Sequence, residues 1–167
     1  MTDVQKLIPE IKEWQELNGD RFDAEDWIAI EGNIKLAIGY SLIFWPDFIE
    51  YDNCVFLKSH FSIETYNQWK KVDYAEYFSQ IEYVLNHIHI LDLFVEEEGK
   101  QRAISKDQII YLGNVLREIY ETKLRAQFKD KSFVVTFNGQ EEFGDLYDYE
   151  LSFHQLQNET KRVRKGS

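Results

Sequence analysis

Chemistry in this chain would have to come from four histidines, one cysteine and a dense run of acidic and aromatic residues. His87 and His89 lie two apart in a segment whose apolar spacing reads as helix. That spacing puts them about 200° apart around an axis with roughly 3.6 residues per turn, too far round to chelate one metal ion. His60 precedes Ser62 in a loop-like stretch, and His154 falls on the outward face of a candidate strand. Metal sites announce themselves by ligand spacing, and these four histidines show none. Cys54 sits in the run CVFL, the setting of an inert buried thiol and not of an activated nucleophile. The glycines never take the spacing of a phosphate or dinucleotide loop, and no GxSxG elbow occurs. The sequence therefore assigns no catalytic residue, no metal ligands and no cofactor.

The segment that stands out is EEFGDLYDYE, residues 141–150. Read as the run into a strand, Tyr147 and Tyr149 share the core-facing side. Asp148 and Glu150 then share the solvent side with Ser152 and His154. Glu141, Glu142 and Asp145 crowd the preceding loop around Phe143. Carboxylates so placed can meet lysines and arginines of a partner, with an aromatic ring as the anchoring contact. The plainer alternative is a solvated hairpin tip whose charges only prevent edge-to-edge pairing. A second, smaller acidic patch is Asp47, Glu50 and Asp52, around the corner Trp45-Pro46.

Thirty acidic residues against 19 basic give a formal charge of −11. Such a chain repels nucleic acid and anionic membrane and attracts basic proteins; the charge also serves solubility. Hydrophobic residues make up 44% and aromatics 16%, a globular composition. The expectation is one domain over residues 1–156, followed by a disordered tail, 157–167, with four basic residues against one acidic. A single cysteine allows no internal disulfide. The N-terminus lacks the basic and apolar regions of a secretory signal, and the best apolar run, Leu36 to Pro46, is too short to span a bilayer. A cytoplasmic protein is expected.

The elements that must position these groups follow from period and capping. Residues 2–18 read as helix, with Pro9 as an alternative first residue, and Asn18-Gly19 ends it. Asp23 caps a short turn through Trp27 and Ile30. Residues 34–45 fit two readings. As a strand they alternate; as a helix they are apolar nearly all round, capped by Asn33 and stopped by Pro46. Their length tips the balance to helix. Residues 27–57 as a whole are apolar enough to be expected mostly inside. Residues 48–51 are extended, Asp52-Asn53 makes a tight turn, and 54–57 is a buried strand. Ser62 caps a helix ending at Lys70-Lys71. Asp73 and Glu76 open a long helix over 74–94, and Glu96 to Lys100 forms a loop. Ser105 and Gln108 open another helix over 106–128. Residues 132–156 form a hairpin with a loop at 138–145. The fold class is α+β and helix-dominated: four or five helices on a small antiparallel sheet.

In size, charge and aromatic content the chain is similar to the small acidic immunity proteins with which bacteria neutralise toxins. The resemblance implies a non-catalytic module whose acidic surface docks a basic partner, for instance a nuclease toxin. Two other readings stand beside it. One is a small enzyme with a cleft between the long helices and the sheet, using His154 or His60. The other is an oligomeric structural protein, favoured if Trp45, Phe48 or Trp69 prove exposed in one patch.

Overall fold

The structure, a computed structural model, describes residues 4–19, 21–72, 75–94 and 104–163. The chain divides into two compact units, Met1–Leu42 and Ile43–Ser167. The first holds α1 (Val4–Leu7), α2 (Pro9–Asn18), α3 (Ala24–Glu31) and most of α4 (Ile34–Phe44). Pro9 occupies the first turn of α2, where a missing N–H costs nothing. Gly19 closes that helix at φ 96°, in a region other residues avoid. Asp23 caps α3 by accepting from the backbone N–H groups of Glu25 and Asp26, and the Asp26 carboxylate accepts from the Asp23 N–H in return. Trp14 stacks on Phe22 at 5.5 Å between ring centres.

Residues 34–44 are helical, with the Asn33 side chain accepting from the Lys35 N–H at 2.8 Å. The strand reading falls. So does the expectation that residues 27–57 are mostly interior. Ile34, Leu36, Ile38 and Leu42 are each more than half exposed, and burial is concentrated in Phe48 and Cys54–Leu57. A helix apolar on every side needs neighbours all round to be buried. The other helices of its unit are only four, ten and eight residues long. Among the described residues no single helix is long and apolar enough to cross a membrane.

The second unit begins with β1 (Phe48–Tyr51) and β2 (Cys54–Leu57), an antiparallel pair. Asp52 and Asn53 join them with φ of 51° and 61°, the left-handed pair that a two-residue hairpin turn demands and that Asp and Asn tolerate. Next come α5 (Ile63–Trp69), capped by Ser62, and α6 (Phe78–Leu85). The chain then forms a short strand β3 (Ile88–His89), the long helix α7 (Lys106–Gln127), β4 (Phe133–Phe137) and β5 (Glu150–Gln155). The order of the second sheet is β3-β5-β4, antiparallel throughout. The architecture is α+β, helix-dominated, with the hairpin of the C-terminal third built from β4 and β5.

Helix α7 matches its sequence signals closely. Ser105 and Gln108 exchange hydrogen bonds at 3.2 and 2.8 Å, and Ile109, Leu116, Tyr120 and Leu124 form the buried stripe. Gly113 lies in that stripe because the Phe137 ring rests on it. A Cβ there would sit 2.2 Å from the ring.

The single helix expected over 74–94 is instead α6, β3 and a 3-10 turn, Ile90–Leu93; Asp73, half of its expected cap, lies outside the described residues. The helix stops at Asn86, whose side chain is spent on strands. Its Oδ1 accepts from Leu57 N–H at 2.9 Å, and its Nδ2 donates to Val55 O at 2.9 Å and Phe153 O at 3.2 Å. Ile88 and His89 then pair with Leu151 and Glu150. The expected loop at 96–100 lies outside the described residues. The hairpin loop runs from Asn138 to Tyr149, longer than expected, because residues 146–148 turn as a 3-10 helix before the strand starts. Residues 157–163 are not a disordered tail. Leu156–Glu159 is a 3-10 turn, Asn158 and Val163 are buried, and Arg162 bridges to Tyr77. Apolar Val163 and amide Asn158 secure a stretch whose charge content suggested otherwise.

One helical turn before Asn86, Glu82 is fully buried. Its carboxylate accepts from Val55 N–H at 2.8 Å, Gln155 N–H at 3.0 Å, the Gln155 amide at 2.6 Å and the Asn158 amide at 3.0 Å. Glu82 and Asn86 thus satisfy backbone groups of β2 and β5, strands of different sheets. Removing one partner of such a set leaves buried donors unmet. Glu82→Ala should cost about 3–5 kcal/mol in urea unfolding, and Glu82→Gln about 1–3 kcal/mol. Burial, with Glu82 adding to it, pushes the Cys54 thiol far up from its ordinary range. A disulfide exchange reagent should therefore leave Cys54 unmodified until denaturant unfolds the protein.

Candidate functional site: the acidic loop 138–149

The loop between β4 and β5 is held by its own side chains. Asn138 clasps both ends: its Nδ2 donates to Asp148 O at 2.9 Å, and its Oδ1 accepts from Glu150 N–H at 2.9 Å. The Asp145 carboxylate accepts from Tyr147 N–H at 2.9 Å and starts the 3-10 turn. Tyr149 is fully buried beneath the loop. Its hydroxyl donates to Glu141 O at 3.3 Å, and the Phe143 ring meets it edge-on at 5.0 Å. His89 adds a bond from Nδ1 to Tyr147 O at 2.6 Å.

The two tyrosines do not share a face as the strand reading required. Tyr149 is inside, whereas Tyr147 is 57% exposed. The 3-10 turn breaks the alternation between them. Tyr147 therefore stands in solvent on a loop that also exposes Glu141, Glu142, Asp145 and Asp148, while Phe143 is half-buried. Glu142 pairs with Lys106 of α7, whose pKa is raised by that bond. Among the described residues no ion pair reaches Glu141, Asp145 or Asp148. Glu150 turns inward and accepts from the Tyr83 hydroxyl at 3.2 Å; burial first, then Glu150, raises the Tyr83 pKa.

The second acidic patch is matched by cations of its own unit. Asp47 lies 3.7 Å from Lys58, Glu50 3.0 Å from Lys131 and Asp52 2.9 Å from Lys70. Asp52 also accepts from the Tyr66 hydroxyl at 2.6 Å. These bonds, Tyr66 first and Lys70 second, hold the Asp52 carboxyl below its ordinary range. The patch stiffens the β1–β2 turn and leaves few free charges.

The groups an enzyme would use are dispersed. His154 Nε2 lies 2.8 Å from Glu159 Oε1, and its buried Nδ1 has no partner among the described residues. It lines a shallow groove with Ser79, Gln80, Tyr83 and Val84. His60 sits in a turn far along the chain from that groove and contributes nothing to it. Among the described residues no three metal-ligating side chains converge. The aromatic patch that would favour a structural oligomer is not formed by Trp45, Phe48 and Trp69 together, because Phe48 is buried. Trp45 is exposed beneath Lys123, whose Nζ is 5.0 Å from the ring centre.

No protein-family model, curated protein or solved structure matches this chain. The site is therefore read from its own geometry.

Sequence reasoning placed Glu141, Glu142 and Asp145 in the loop but put Asp148 on the strand, and it missed Tyr147 as the exposed ring and Asn138 as the clasp. The signal was available: Asp145, two residues before Tyr147, is the spacing of an Asx turn, which ends a strand's alternation.

A carboxyl held below its ordinary pKa contributes stability above that value and loses it as acid protonates the native form. Asp52→Asn should therefore be less stable than the parent at neutral pH. The difference should shrink as pH falls below the ordinary carboxyl value of 3.8, a comparison that thermal unfolding across an acid series would make.

Proposed function

We propose that this chain is a non-catalytic protein-binding module that presents loop 138–149 to a basic partner. A toxin with a cationic nucleic-acid groove is the partner class it fits, which makes a toxin-neutralising, immunity-type role the reading to test. One observation carries this: Glu141, Asp145 and Asp148, exposed and without an ion pair among the described residues, surround the exposed Tyr147 ring on a loop fixed from below. Fixed charges steer a cationic protein during approach. Tyr147 supplies a large rigid contact at little entropy cost, the residue type that dominates interface energetics. A loop already ordered by Asn138, Asp145 and Tyr149 does not have to be ordered on binding.

A partner recovered by pull-down from the source cell would allow the decisive measurement. Glu141→Lys with Asp148→Lys should slow association about tenfold or more at low salt, with the deficit shrinking as salt rises. Tyr147→Ala should act on dissociation instead, costing about 2 kcal/mol or more. An affinity indifferent to salt and to Tyr147 would defeat the proposal.

A further inference from the structure

His87 and His89 cannot share a ligand if they lie on a helix. They do not lie on one. Helix α6 ends at Leu85, Asn86 is its turn-forming cap and β3 starts at Ile88; Ile88 between the two histidines is buried while His87 is exposed and His89 partly so. Alternation along an extended segment puts residues two apart on one face. The two imidazole rings accordingly stand edge to face, 5.1 Å between centres.

Their hydrogen bonds settle which nitrogen is left. His87 Nδ1 is 2.7 Å from Val84 O, and His89 Nδ1 is 2.6 Å from Tyr147 O. A carbonyl oxygen only accepts, so each Nδ1 carries the proton. Each neutral ring then keeps its lone pair on Nε2. Among the described residues neither Nε2 has a hydrogen-bond partner. A ring whose far nitrogen donates to a carbonyl is the usual arrangement of a metal-bound histidine, because the bond fixes tautomer and orientation.

The separation also fits. Two imidazoles bound through nitrogen at about 2.0–2.1 Å to one tetrahedral ion place their ring centres about 5 Å apart. We propose that His87 and His89 form a surface site for a divalent transition-metal ion that takes imidazole ligands, of the zinc, nickel and copper class. Oxygen-seeking ions such as magnesium and calcium do not suit two nitrogens. The site supplies two protein ligands, since no third converges among the described residues. Water fills the remaining positions. Burial first, and His87 second, hold the His60 pKa down, but His60 does not complete the set.

The test is titration of the untagged full chain with Ni2+ and, separately, Zn2+, followed by calorimetry. One ion per chain with a dissociation constant in the micromolar range is expected. His87→Gln and His89→Gln should each weaken binding about tenfold or more, and His154→Gln should leave it unchanged. Long-range nitrogen–proton spectra of the unsubstituted protein read the same site without depending on a variant's folding. Zn2+ should shift the Nε2 resonances of His87 and His89. Absence of saturable binding, binding that survives both substitutions, or Nε2 resonances that stay put at saturating metal would each overturn the assignment.

Discussion

Glu82 has no exposed surface, and four N–H donors converge on its two oxygens. A carboxylate in that position is expensive to desolvate and tolerable only because every donor around it needs an acceptor. The donors come from β2, from β5 and from the turn that follows β5. With Asn86 on the next turn of α6, Glu82 stands where a further strand-to-strand ladder would otherwise be needed. The unit has two separate sheets, β1-β2 and β3-β5-β4, and these two side chains bind the backbone of both. The ends of α6, β2 and β5 are set by one polar cluster. This explains why the helix stops at Asn86 and why the chain beyond it is extended.

The acidic loop rests on that arrangement at one remove. β5 is the central strand, and Tyr149 enters it from the loop as a fully buried ring. Phe153 and Leu151, further along the strand, are buried too and pack with Phe48, Phe133 and the α7 stripe. With β5 fixed, Asn138 and Tyr149 hold the loop by short local bonds, and its carboxylates stay outside. The contrast with Asp47, Glu50 and Asp52 is one of neighbours. Those three lie next to lysines from β2's following turn, from α5's end and from the segment after α7, and exposed pairs of this kind contribute little individually. The loop's carboxylates, apart from Glu142, have no such company among the described residues.

The segment that follows α6 brings the His87 and His89 rings together and ties His89 to the Tyr147 carbonyl. Loop, imidazole pair and strand β3 therefore form one connected surface. Apolar helix α4 belongs to the other unit over most of its length. Its exposed isoleucines and leucines show that composition alone did not assign it an interior place.

Wherever short-range chemistry decides the outcome, the sequence was sufficient. Ser105 with Gln108 marks the start of α7, Asp52-Asn53 makes a left-handed turn, Pro9 and Gly19 bound α2, and alternation in 133–137 and 151–153 marks the hairpin. Each depends on neighbours within a turn of the residue concerned. Tertiary structure decided what depended on distant partners. Glu82 and Asn86 look like ordinary helix-surface residues until β2 and β5 arrive to bond them, from 27 to 73 positions away in sequence. The apparent helix over 74–94 was broken by those bonds, and with it went the supposed separation of His87 from His89. Tyr147 and Tyr149 were parted by a 3-10 turn that no alternation count registers. Charge and apolar content are sums over residues, legible without a fold; which charge is answered, and which ring is covered, is a property of what the folded chain places beside it.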